Sequence, residues 1–107
     1  MLKRILKSSK GDDLVFEDMV LGLRTYSVSI CGKSVELTLK EFNILKELIE
    51  KYPQVITREN LLDSIWGYDF YGDTRIIDAH IKNIRKKIGL PYIKTVKGIG
   101  YTLEKLK

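Results

Sequence analysis

The sequence predicts an α+β domain: a small N-terminal antiparallel sheet, then three helices, then a C-terminal β-hairpin. Three observations predict it. Short runs containing Val, Ile, Leu, Phe and Tyr, broken by turn residues, occupy positions 14–37. Capping residues at Thr38, at Thr57 and at Asp73 or Thr74 each open an apolar pattern of helical spacing. A glycine-rich turn, Lys97-Gly98-Ile99-Gly100, separates the last two β-prone runs.

Met1 to Lys10 carries apolar and basic residues at helical spacing and runs into Ser8-Ser9-Lys10-Gly11, which is linker composition. A helix this short does not stand alone in water. Residues 1–10 read either as the tail of a preceding domain or as an N-terminal arm, and the domain proper is expected at 11–107. Leu14-Val15-Phe16, Met19 to Leu23, Tyr26 to Ile30 and Ser34 to Leu37 are the expected strands of a platform sheet.

Thr38 and Glu41 form a capping box. Leu39, Phe42, Leu45, Leu48, Ile49 and Tyr52 then recur at spacings of three and four, marking a core helix that Pro53 ends. Val55-Ile56 is long enough only for a bridging strand. Thr57 caps a second helix whose Leu61, Leu62, Ile65 and Trp66 face inward, with Trp66 a core anchor, and Gly67 terminates it. The loop from Gly67 to Asp73 carries Tyr68, Asp69, Phe70 and Tyr71, whose rings either pack back on the core or meet a partner. Asp73 or Thr74 caps the third helix, and Gly89-Leu90-Pro91 closes it. Tyr92 to Val96 and Tyr101 to Glu104 are the strands of the final hairpin.

The third helix is the informative one. At about 100° per residue, Ile77, Ile81, Ile84 and Ile88 fall within about 40° of one another, a narrow stripe for burial. Arg75, Ala79, Lys82, Asn83 and Lys86 lie on the opposite side, and Arg85 and Lys87 flank the stripe. The outer face therefore combines cations, an amide and a small residue, the side chains that read base edges in the major groove of DNA. A lysine-rich face can equally be just a solvated one. Charge distribution favours the groove: residues 79–107 hold eight Lys or Arg against one acid, a net of +7, whereas residues 11–73 hold six against twelve, a net of −6. A chain polarised in this way has an electrostatic footprint for a polyanion.

Other classes find little support. With 107 residues, 44% hydrophobic and two prolines, the chain can bury a core, so disorder is not expected. A single cysteine, Cys31, permits no internal disulfide and points to a reducing cytoplasm. No apolar run approaches a membrane span. Gly32-Lys33-Ser34 resembles the end of a phosphate loop, but Ser27 stands where that motif needs glycine. Gly98-Ile99-Gly100 is only a fragment of a dinucleotide fingerprint. His80 is the sole histidine, at the edge of the buried stripe, and fits a packed or boundary residue better than a ligand. Neither a metal nor a cofactor is expected, and nothing suggests an enzyme.

Four linked blocks in this order resemble the winged-helix effector domain of OmpR/PhoB-type response regulators. They are Leu37-Thr38-Leu39-Lys40-Glu41-Phe42-Asn43-Ile44-Leu45; Val55 to Leu62 with Trp66-Gly67; Asp78-Ala79-His80-Ile81-Lys82-Asn83-Ile84-Arg85-Lys86-Lys87-Ile88; and Ile93 to Tyr101. The resemblance implies a winged helix-turn-helix whose third helix lies in the major groove and whose hairpin wing reaches the adjacent minor groove. It makes Lys82, Asn83 and Arg85 on the helix, and Thr95 and Lys97 on the wing, the expected contacts with bases and phosphates, beside the outward Arg75, Ala79 and Lys86. It also implies a preceding receiver domain phosphorylated under a sensor kinase, dimerisation on direct repeats, and a loop, Tyr68 to Tyr71, able to face RNA polymerase. Asn83 stands where many relatives have arginine and pairs best with adenine. Lys97 replaces a frequent arginine and lacks its planar fork, and Thr74 stands where an acid is common. Two other classes are left open: a winged helix whose basic face meets an acidic protein rather than DNA, and, with less support, RNA binding, since a helix does not read the narrow groove of A-form RNA.

Overall fold

The computed structural model describes residues 13–67 and 72–105, and within them the expected order of sheet, helices and hairpin is present. Four strands, β1 (Asp13–Phe16), β2 (Met19–Gly22), β3 (Ser27–Ile30) and β4 (Lys33–Val35), pair antiparallel in chain order. Strand residues alternate between faces, and the register puts like with like. Met19 opposes Ile30 and Leu21 opposes Val28, all four buried, while Val20 opposes Ser29 on the other face. Cys31 and Gly32, both at positive φ, make the two-residue turn between β3 and β4, so Cys31 is an exposed turn residue.

Helix α1 (Leu39–Lys51) begins with the full capping box: Thr38 Oγ1 accepts from the Glu41 N–H, and Glu41 Oε1 accepts from the Thr38 N–H. Three of its residues differ from expectation. Leu39, expected in the core, is 57% exposed, whereas Ile44 and Glu41 are buried. α1 packs against β1, β7, α2 and α3 together, so its buried arc is broad and centred near Leu48, and Leu39 lies about 180° away on the wheel. Strand β5 (Ile56–Thr57) leads directly into α2 (Arg58–Trp66), with Thr57 Oγ1 accepting the Asn60 N–H as the cap.

α3 (Arg75–Ile88) has Thr74 at its N-cap position without a side-chain capping bond. Asp73 does that work instead, its carboxylate accepting the Arg75 N–H at 3.0 Å. Gly89 ends the helix in the left-handed conformation, φ 70°, where a side chain would be strained. Ile77, Ile81, Ile84 and Ile88 are buried as the wheel requires, each contributing roughly 1.5–3 kcal/mol of burial. The hairpin of β6 (Ile93–Val96) and β7 (Gly100–Leu103) joins β5 in a second sheet, ordered β5-β7-β6. Gly100 makes that junction possible: a Cβ there would stand 2.0 Å from the Ile56 carbonyl oxygen. Phe16 closes the first sheet onto the rest, its ring edge-on to Tyr52 at 4.9 Å and to Tyr92 at 5.6 Å.

Candidate nucleic-acid interface

The isoleucine stripe turns the opposite face of α3 to solvent, and Arg75, Ala79, Lys82, Asn83 and Lys86 are all exposed. The Arg75 side chain is 84% exposed and held by the Asp73 carboxylate at 2.8 Å, which raises its already high pKa. Asp73 answers in kind: the Arg75 N–H and guanidinium hold its carboxyl below the usual range. The wing presents Lys94, Thr95 and Lys97, also exposed. At its tip the Ile99 N–H bonds the Val96 carbonyl, and Gly98 supplies the positive φ of 79° that the turn requires.

Arg85 is less free than its neighbours. From the edge of the buried stripe it turns toward the wing, where Nη2 donates to the Ile93 carbonyl at 3.0 Å and to Thr95 Oγ1 at 2.7 Å. Two expected contact residues are therefore bonded to each other. Lys87, on the other flank, turns to α1 and pairs with Glu41 at 2.7 Å. The buried carboxylate thereby joins the α1 cap to α3.

The expected site left out one group. Asp78 accepts the Arg58 guanidinium at 3.1 Å on one oxygen and the Tyr101 hydroxyl on the other. Burial of Tyr101, then its bond to Asp78, push the phenol up to about 12. Two sequence signals were available. Asp78 is the lone acid of α3, and Arg58 is a cation at a helix N-terminus, where the dipole disfavours it unless an acid is near.

His80 sits at the boundary as expected, Nδ1 2.8 Å from the Ile76 carbonyl and its ring edge-on to Trp66 at 5.2 Å. Trp66 is half-buried rather than a deep anchor, with the Lys40 ammonium 5.0 Å from its ring. Tyr68, Asp69, Phe70 and Tyr71, like residues 1–10, lie outside the described residues. Among the described residues no group of three or more His, Cys, Asp or Glu is placed to hold a metal, and no helix is long and apolar enough to cross a membrane.

Comparison with known proteins agrees with this geometry. The family model described as transcriptional regulatory protein, C terminal, matches residues 32–103. YkoG of Bacillus subtilis strain 168, an uncharacterized transcriptional regulatory protein, is 40% identical over 98 residues, covering 88% of this chain and 43% of YkoG. Response regulator DrrB of Thermotoga maritima, an OmpR/PhoB homolog, superposes with a TM-score of 0.79 at 35% identity, over 88% of this chain and 45% of DrrB. The RstA DNA-binding domain of Klebsiella pneumoniae, solved in complex with the RstA box, gives 0.77 at 28% identity, over 85% of this chain and 95% of that domain. The chain spans about half the length of the curated relatives it matches. By these matches the chain belongs to the transcriptional regulatory protein C-terminal family, the winged-helix DNA-binding domains of OmpR/PhoB-type response regulators.

Proposed function

We propose that this chain binds double-stranded DNA sequence-specifically, as the effector domain of a two-component response regulator that controls transcription. The observation that carries this reading is the exposed row of Arg75, Ala79, Lys82, Asn83 and Lys86 on a helix anchored from behind by four buried isoleucines. A helix so anchored offers its outer face to the major groove, where Lys82 and Asn83 read base edges and Arg75 and Lys86 meet phosphates. Lys97 reaches the neighbouring minor groove from the wing. Arg85 and Thr95 lie at the junction of the two, inside the same interface.

Three features of the longer regulators are part of the proposal: a receiver domain preceding this chain, pairing of two copies on direct repeats about one helical turn apart, and contact with RNA polymerase through Tyr68 to Tyr71. The relatives' greater length supports the first, and family resemblance supports the others.

Selection of bound duplexes from a random DNA pool tests the central claim. A recovered motif of two spaced half-sites, with adenine preferred opposite Asn83, is the expected result. Recovery of no motif, together with an acidic protein rather than duplex DNA shifting the amide NMR signals of residues 79–85, overturns it in favour of a protein-binding winged helix.

A further inference from the structure

Thr95 and Tyr101 face each other directly across the hairpin, and α3 holds both. Arg85 bonds the Thr95 hydroxyl and the Ile93 carbonyl, while Asp78 receives the Tyr101 hydroxyl. Asp78 and Arg85 are seven residues apart, about two helical turns or roughly 10 Å along the axis, and so point the same way. Asp78 is itself held by Arg58 from the start of α2, and the Arg85 guanidinium stands 5.8 Å from the Tyr101 ring centroid. One rung of the wing is thus clamped to the recognition helix from both strands. Beyond it lie one further rung, Val96 opposite Gly100, and the tip, where Lys97 is two residues from Thr95.

We propose that Arg85 and Thr95 are positioning residues: their bond sets the distance between α3 and the wing tip, and so decides whether Lys97 reaches the minor groove while Lys82 and Asn83 occupy the major groove. The inference rests on the DNA-binding reading above and deepens it. It assigns the pair a role through the wing, in addition to contacts of their own with DNA. The Thr95 oxygen accepts from a charged donor at 2.7 Å, a stronger bond than one between two neutral groups. Without it, β6, the outer strand of the β5-β7-β6 sheet, loses its side-chain tie to α3 nearest the tip.

Thr95→Val and Thr95→Ser in this chain separate the alternatives. Valine keeps the shape and β-propensity of an exposed strand residue and leaves the Arg85 charge untouched; serine keeps the hydroxyl. Hydroxyl-radical footprinting on a selected duplex is expected to show Thr95→Val losing minor-groove protection beside the site while protection on the α3 side persists, and Thr95→Ser retaining both. In a double-mutant cycle, Lys97→Ala costs about ten-fold in affinity in the wild-type background and about two-fold or less beside Thr95→Val. Unchanged minor-groove protection in Thr95→Val, uniform loss at every protected position, or two losses that simply multiply would each overturn the inference and leave the DNA-binding reading standing. A wild-type chain that protects no duplex overturns both.

Discussion

At Glu41 a carboxylate that completes the α1 cap also receives the Lys87 ammonium from α3, with only 4% of its side chain exposed. Burial works against its charge, yet the Lys87 hydrogen bond, the Thr38 N–H and the Lys87 charge together hold its carboxyl below the ordinary 4.5. Since the folded value lies below the unfolded one, the stabilisation is complete above about pH 4.5 and drains away as pH falls through the lowered folded value. Glu41→Gln is expected to cost roughly 1.5–3 kcal/mol at pH 7, a difference that narrows in urea melts at acid pH. Tyr101 runs the other way: its phenol is raised from 10.0 to about 12, so its contribution is whole below pH 10 and lost as pH rises toward 12. Absorbance titration should show a late-ionising phenol that is absent in Tyr101→Phe. Glu41 was legible as a capping residue because a cap is local. Its burial was not, because that depends on what α3 brings to it.

Between elements, the tightest constraint is where β7 passes β5. A methyl group on Gly100 would stand 2.0 Å from the Ile56 carbonyl oxygen and 2.8 Å from the Thr57 Cα, both backbone atoms with no room to yield. Gly100→Ala should therefore push the wing off the strand that leads into α2, costing about 3 kcal/mol or more. Loss of the Ile56 to Tyr101 cross-strand contacts in NMR, with the β1 to β4 sheet intact, would show it. The turn was readable from Gly98 and Gly100, but only the pairing distinguishes their tasks. Gly98 turns the chain, and Gly100 admits a neighbour. Helical elements were more legible still. α3 appeared in full from its period, whereas α1 misled at Leu39 because a helix packed on several sides buries more than one stripe.

Across the whole molecule, basic charge is concentrated where α3 and the wing lie, and the rest of residues 11–73 is net acidic. A charge distribution polarised in this way orients the encounter with a polyanion as well as strengthening it. If about five phosphates are neutralised, log affinity for duplex DNA should fall with log salt at a slope near −4 to −5. Lys86→Ala should reduce that slope by about one and weaken all sequences alike, whereas Asn83→Ala should cost roughly 1–3 kcal/mol at a single base position. Fluorescence anisotropy across a salt series measures both. A flat salt response would show that phosphate neutralisation does not drive binding.

By itself the sequence determined which face of α3 is buried, where each helix begins and ends, and how charge divides along the chain. These are matters of period, caps and composition, carried by residues within a few positions of one another. Tertiary structure alone decided what each flanking cation does. Lys87 meets Glu41 from 46 residues away, Arg58 meets Asp78 across 20, and Arg85 turns to Thr95 across 10. A helical wheel gives the direction of a side chain, but its partner is set by whichever element packing brings alongside.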